Sequence, residues 1–218
     1  LPIVRIDTKL VYFAHVPKCG GSAIEDYLQK RFGTLGFLDR TYRSIPEGLR
    51  WTRSSPQHIH AKAMERLLPA AFFAARFAVV RHPLDRMISV FRFQRDVHRD
   101  IPETVSFGEW LGTLHRQYQS NPFYLDNHFR PMADIVPEGT TLFRLEDGLS
   151  PVIAWLDELA GNSDGPREIH RDNTYEQRLK RGKLKRGLPP IVTEKERQQI
   201  NDYCAADFGR FGYERAEV

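Results

Sequence analysis

Three groups of residues have the types and spacing that chemistry needs. The first is Pro17-Lys18-Cys19-Gly20-Gly21-Ser22. Gly20-Gly21 allow backbone shapes and close approaches that a β-carbon forbids, and Lys18 sets a mobile positive charge beside them. An apolar run, Val11 to Val16, precedes this turn and a helix-like segment follows it. A turn from strand to helix N-terminus presents free backbone N–H groups and the positive end of a helix dipole, which together suit a phosphate or sulfate. Gly-Gly turns of this kind also join strands to helices with no ligand at all, so the motif alone leaves both readings open. It does not support a Mg-nucleotide site, which requires Gly-x4-Gly-Lys-Ser/Thr, because here the lysine precedes the glycines.

The second group is Arg81, just past an apolar strand, with Ser89 eight residues on, about two helical turns along. Arg offers a fixed fork of donors matched to a phosphate and Ser adds a hydroxyl. Each alone reads equally as a solvated side chain. Together with the first loop they make a second anion pocket, and two such pockets suggest a nucleotide with phosphates at both ends. The third group is His58 and His60, alternating in an extended segment so that both imidazoles face one side. A zinc site would need a third ligand at motif spacing, which is not there. A hydrogen-bonded surface pair and a general base drawing a proton from an alcohol both remain open.

The elements that must position these groups follow from periodicity. Ala23 to Phe32 reads as a helix with Ile24, Tyr27, Leu28 and Phe32 on one face, and Ser22 with Glu25 has capping-box spacing. Residues 33–55 form a long polar connection, followed by a short helix from Ala61 to Leu68. Phe77 to Val80 is a buried strand, and Leu84, Met87, Ile88, Phe91 and Val97 recur at helical spacing after it. Ser106 with Glu109 and Thr193 with Glu196 are capping boxes, Thr140 to Leu145 is a strand, and Ser150-Pro151 opens a helix that Gly161 closes. Asn127 to Pro131 reads as polar loop. Strands alternating with helices predict an α/β fold, a central parallel sheet flanked by helices, with both motif strands ending at one edge where such folds bind ligands. A single domain over residues 1–218 is expected.

Composition sets bounds. The chain has 218 residues, 41% hydrophobic and 28% charged, with a net charge of +4. That excess favours an acidic ligand and is too small to demand nucleic acid. Two cysteines, Cys19 and Cys204, form no zinc spacing and no disulfide framework. No apolar run reaches the ~20 residues of a membrane span and no signal-peptide pattern is seen. These observations predict a reducing, cytoplasmic setting.

The motifs in order resemble those of sulfotransferase family 2, the carbohydrate sulfotransferases. Pro17 to Ser22 resembles the 5′-phosphosulfate loop of enzymes that use 3′-phosphoadenosine-5′-phosphosulfate (PAPS). Arg81-His82-Pro83-Leu84-Asp85-Arg86-Met87-Ile88-Ser89 resembles their 3′-phosphate motif, and His58-x-His60 the His-x-His of the uronyl and heparan sulfate 2-O-sulfotransferases. Weaker likeness continues through Asn127 to Pro131, Phe143 to Asp147 and Asp207 to Tyr213. The resemblance implies a P-loop NTPase-like sulfotransferase fold, a bacterial member, PAPS as co-substrate, adenosine bisphosphate (PAP) as product and no metal. It implies Lys18 on the leaving phosphate, Cys19, Gly20, Gly21, Ser22 and Ala23 around the 5′-phosphate, and Arg81 and Ser89 on the 3′-phosphate. His60 would be the base, with His58 assisting or touching the acceptor, and Arg130 would contact that acceptor, a hydroxyl-bearing glycan. Cys19 stands where the family often has threonine, which removes a hydroxyl donor. Met132 stands where a glutamine is expected. The basic stretch Arg178 to Arg186 would close over the nucleotide. Two rivals differ in class: a small-molecule kinase, marked by Mg-ATP binding, and a non-catalytic nucleotide- or glycan-binding module.

Overall fold

The computed structural model describes residues 2–170, Gln177, Lys180 and 190–217. Its sheet has four strands in the order β1 (Ile3–Ile6), β2 (Lys9–Ala14), β3 (Ala75–Val80) and β4 (Thr141–Arg144). The pairs β2·β3 and β3·β4 are parallel, with Phe13 opposite Phe77 and Val80 opposite Arg144. The expected parallel core is therefore present, extended by one antiparallel edge strand, since β1 turns back onto β2 through Asp7 in a left-handed conformation. That short strand carries too few residues to announce itself by periodicity.

Helices flank the sheet: α1 (Gly21–Phe32), α2 (Ala61–Leu67), α3 (Pro83–Arg92), α4 (Phe107–Ser120), α5 (Met132–Ile135), α6 (Ser150–Ala160), α7 (Glu194–Tyr203) and α8 (Ala205–Phe211). The capping boxes at Ser106–Glu109 and Thr193–Glu196 form as expected. The one expected at Ser22–Glu25 does not. Gly20 is the N-cap of α1 in a left-handed conformation, and Glu25 turns to His15 instead. Helix α6 likewise starts one residue early, at Ser150 with Leu149 as N-cap.

Two apolar cores result. The first surrounds the sheet, with Val11, Phe13, Phe77 and Val79 against Ile24 and Leu28 of α1 and Val152 and Leu156 of α6. The second joins α3, α4, α7 and α8 through Met87, Phe91, Trp110, Leu114, Ile200 and Phe208. Helix α3 runs into a π-helical turn, Phe93–His98, a rare form that often marks functional sites. Asn127 to Pro131, expected as polar loop, is largely interior: Asn127, His128, Phe129 and Arg130 are all buried.

Candidate active site

The ends of β2 and β3 lie side by side, so the loops that leave them face one cavity of about 990 Å³. That volume sits at the upper end for small-molecule sites and is large enough for a nucleotide with an acceptor beside it. Lys18, Gly20, Gly21, Ser22 and Ala23 line it from the first loop, and Arg81 and Ser89 from the second.

The first loop is shaped by backbone. Lys18 and Gly20 both have positive φ, 69° and 84°. Gly21 is needed for a different reason: a β-carbon there would sit 2.1 Å from His15 Nε2, so the imidazole rests directly on the helix start. The amides of the first helical turn have no intrahelical acceptor and are available to an anion. Ala23 is an exception, because its N–H already donates to the Gly20 carbonyl. Cys19 takes its side chain into the core against Met132, and burial pushes its thiol up to about 12. Its backbone N–H donates to the Val16 carbonyl at 3.3 Å, so Cys19 shapes the turn rather than lining the cavity. The Lys18 ammonium lies 3.7 Å from the centre of the Phe93 ring, on the π-helical turn.

Arg86 ties the two loops together. Fully interior at 1% exposure, it donates to the carbonyls of Pro17, His128 and Arg130 at 3.1, 2.8 and 2.9 Å. The second loop is held from outside by the C-terminal segment. Glu146 accepts from the His82 amide at 2.8 Å and from the Tyr213 hydroxyl at 3.0 Å, and His82 Nε2–H donates to the Glu214 carbonyl.

The two histidines part company. Pro56–His58 is a 3₁₀ turn and His60 is the N-cap of α2, so the segment is not the extended strand that would aim both rings one way. His58 lines the main cavity. His60 lines a separate cavity of about 490 Å³, together with Arg130, Tyr118 and Phe123. Arg130 also departs from expectation: its guanidinium is spent on Asn127, the Tyr118 hydroxyl and the Pro122 carbonyl. Burial, then Arg130, lowers the pKa of His60 below the usual imidazole value.

Around His58 the structure assembles Asp126 and His15, which no motif indicated, and His128, from the Asn127 to Pro131 stretch. His58 Nδ1 lies 2.8 Å from Asp126 Oδ2, and its ring meets those of His15 and His128 edge-on, each with centroids 4.8 Å apart. His15 Nδ1 bonds to Glu25, making a second imidazole–carboxylate pair on the same cavity. Burial lowers the pKa of His15 against the opposing pull of Glu25, and lowers His128 further. Burial alone would raise Asp126, but His58, His128 and the Ser55 amide together hold its carboxyl well below the usual range. A sequence signal for His15 existed in retrospect: a polar residue closing an apolar strand two positions before the loop proline.

Donor atoms of His58, Asp126 and His128 lie within 4.8 Å of one another, a grouping that could hold a metal ion. The hydrogen bonds favour another use. Asp126 Oδ1 accepts from the Ser55 amide at 2.6 Å, and Oδ2 accepts from both the Ser55 hydroxyl and His58. A carboxylate fixed in this way holds the imidazole beside it in one orientation and tautomer, as carboxylates behind histidines commonly do. The stretch Arg178 to Arg186, apart from Lys180, lies outside the described residues. Among the described residues no helix is long and apolar enough to cross a membrane.

A family model described as Sulfotransferase family matches residues 2–214. No curated protein and no solved structure matches the chain.

Proposed function

We propose that this chain, which belongs to the sulfotransferase family, transfers a sulfuryl group from PAPS to an alcohol, with His58 rather than His60 as the base. The observation that carries the reading is that one cavity is lined by Lys18, the start of α1, Arg81, Ser89 and the carboxylate-paired His58. Loop amides and Lys18 suit the 5′ end of the donor, and Arg81 with Ser89 suits the 3′-phosphate. The donor supplies an activated sulfuryl group. The residues bind it, orient the acceptor hydroxyl and move its proton to an imidazole nitrogen. Lys18 and the α1 dipole stabilise negative charge on the departing phosphate oxygen. A sulfuryl group carries less charge than a phosphoryl, so positioning and these fixed charges can carry most of the rate. A hydroxyl-bearing glycan remains the acceptor class we favour, given the net positive charge and the family.

Calorimetry with adenosine 3′,5′-bisphosphate in EDTA, followed by ³⁵S transfer from PAPS over glycans, lipids and small alcohols, tests the reading. Tight bisphosphate binding and transfer to a hydroxyl are expected. Arg81→Ala should weaken the bisphosphate far more than 5′-AMP, and equal losses for the two nucleotides would reject the 3′-phosphate assignment.

A further inference from the structure

The turn that carries Asp126 has an unusual backbone. Leu125, Asp126 and Asn127 are consecutive, none is glycine, and all are left-handed, with φ of 52°, 55° and 61°. Each such residue costs about 1–2 kcal/mol, least for Asp and Asn and most for a residue like Leu, so the conformation persists only where surrounding contacts impose it. Three of those contacts come from the segment that bears His58, and the rest close the turn on itself. The Ser55 amide and hydroxyl both donate to Asp126. Asn127, wholly buried, donates through Nδ2 to the His58 carbonyl at 2.8 Å and accepts from Arg130 Nε at 3.0 Å. His128 Nδ1–H donates to the Leu125 carbonyl at 2.8 Å, which closes the turn from its far side.

We propose that Asp126 is a positioning residue for His58: presented by this left-handed turn, its carboxylate fixes the ring's tautomer and plane so that Nε2 holds the lone pair. This rests on the reading of His58 as the base. The chemistry is simple. An ionised carboxylate only accepts, so the nitrogen 2.8 Å from it, Nδ1, carries the hydrogen. In a neutral imidazole the lone pair is then on Nε2, the nitrogen left to take the acceptor's proton. The edge-on rings of His15 and His128 limit rotation of the plane. The charged and titratable groups around His58 are Asp126 and His128 from the turn, His15 from the end of β2, Glu25 from α1, and Lys18 and His98 across the cavity. Of these Asp126 alone touches Nδ1 with a charge.

The test begins with the unmutated protein. Nitrogen-15 NMR of histidine-labelled chain, with the His58 signals identified by their loss in His58→Gln, should show the Nδ1–H tautomer; an Nε2–H tautomer overturns the proposal. In Asp126→Asn we expect kcat to fall by about 10²–10⁴, the scale of a general base, with bisphosphate affinity within about twofold and a loss of the single Nδ1–H tautomer in the His58 spectrum. Near-normal kcat in that variant, or an unchanged tautomer, also overturns it. Asp126→Glu should recover part of the lost kcat. Failure of the underlying reading looks different: the unmutated protein would neither bind the bisphosphate nor transfer sulfate, whatever the tautomer of His58.

Discussion

At the scale of single residues, the two neighbouring histidines make opposite predictions. His58 reaches the cavity and holds a carboxylate partner, whereas His60 faces Phe123 and Arg130 in another cavity. His58→Asn should lower kcat by about 10²–10⁴, and His60→Asn should leave it within about threefold. Steady-state ³⁵S transfer with both variants checks this, and the reverse ranking would return the base to His60. Cys19 gives a second residue-level prediction. Burial pushes both thiols, Cys19 and Cys204, up to about 12, so almost no thiolate exists at pH 8. Iodoacetamide at that pH should leave nucleotide binding intact; rapid inactivation would show that the loop opens.

At the scale of elements, what matters is how loops are locked to one another. Arg86 lies on α3, within the second motif, yet its three bonds go to the first loop and to residues 128–130. Removing it leaves three carbonyls without their donor in the interior, each worth about 1–3 kcal/mol. Arg86→Met should therefore cost roughly 3–5 kcal/mol, which for a chain of this size is a melting-point loss of roughly 6–20 °C. Differential scanning calorimetry reads it directly. Gly21→Ala acts locally. A methyl 2.1 Å from His15 Nε2 forces the imidazole or the helix start to move. Bisphosphate affinity should fall, and unchanged affinity would mean that the α1 amides are not part of the anion site.

At the scale of the whole molecule, several imidazoles are kept neutral by burial. His15 and His128 are lowered, His60 is lowered, and His98 is lowered to about 4, mainly by burial and then by Arg43. The unfolded chain takes up these protons near pH 6.5, the folded one only at lower pH. Between those values the unfolded state binds more protons, so stability rises with pH and is complete above about 6.5. Cooling of the melting temperature should thus begin below about pH 6.5, well before carboxylates titrate. Glu25 and Asp126 are lowered by their histidines despite burial, so their contribution holds above about pH 4 and is lost only below it. A melting temperature flat from pH 7 to pH 5 would contradict the buried neutral histidines.

Local sequence determined much of this protein. Apolar runs ended by Pro17 and by Arg81-His82-Pro83, glycines after Lys18, and the Ser106–Glu109 and Thr193–Glu196 spacings each encode an element within a few residues, so β2, β3, the first loop and those two caps were legible. The family likeness rested on the same short stretches, and the family match over residues 2–214 agrees with it. Only the tertiary structure decided which histidine meets the cavity, because a 3₁₀ turn at Pro56–His58 breaks the alternation that an extended segment would keep. Asp126 and Arg86 belong to the same class. Their partners lie 68 and 69 residues away in the chain, and no periodicity registers a contact between segments that only the tertiary fold brings together. Even Glu25, well spaced to cap a helix, was claimed by His15 because the β2 end delivers a buried imidazole that needs a carboxylate more than the helix needs a cap.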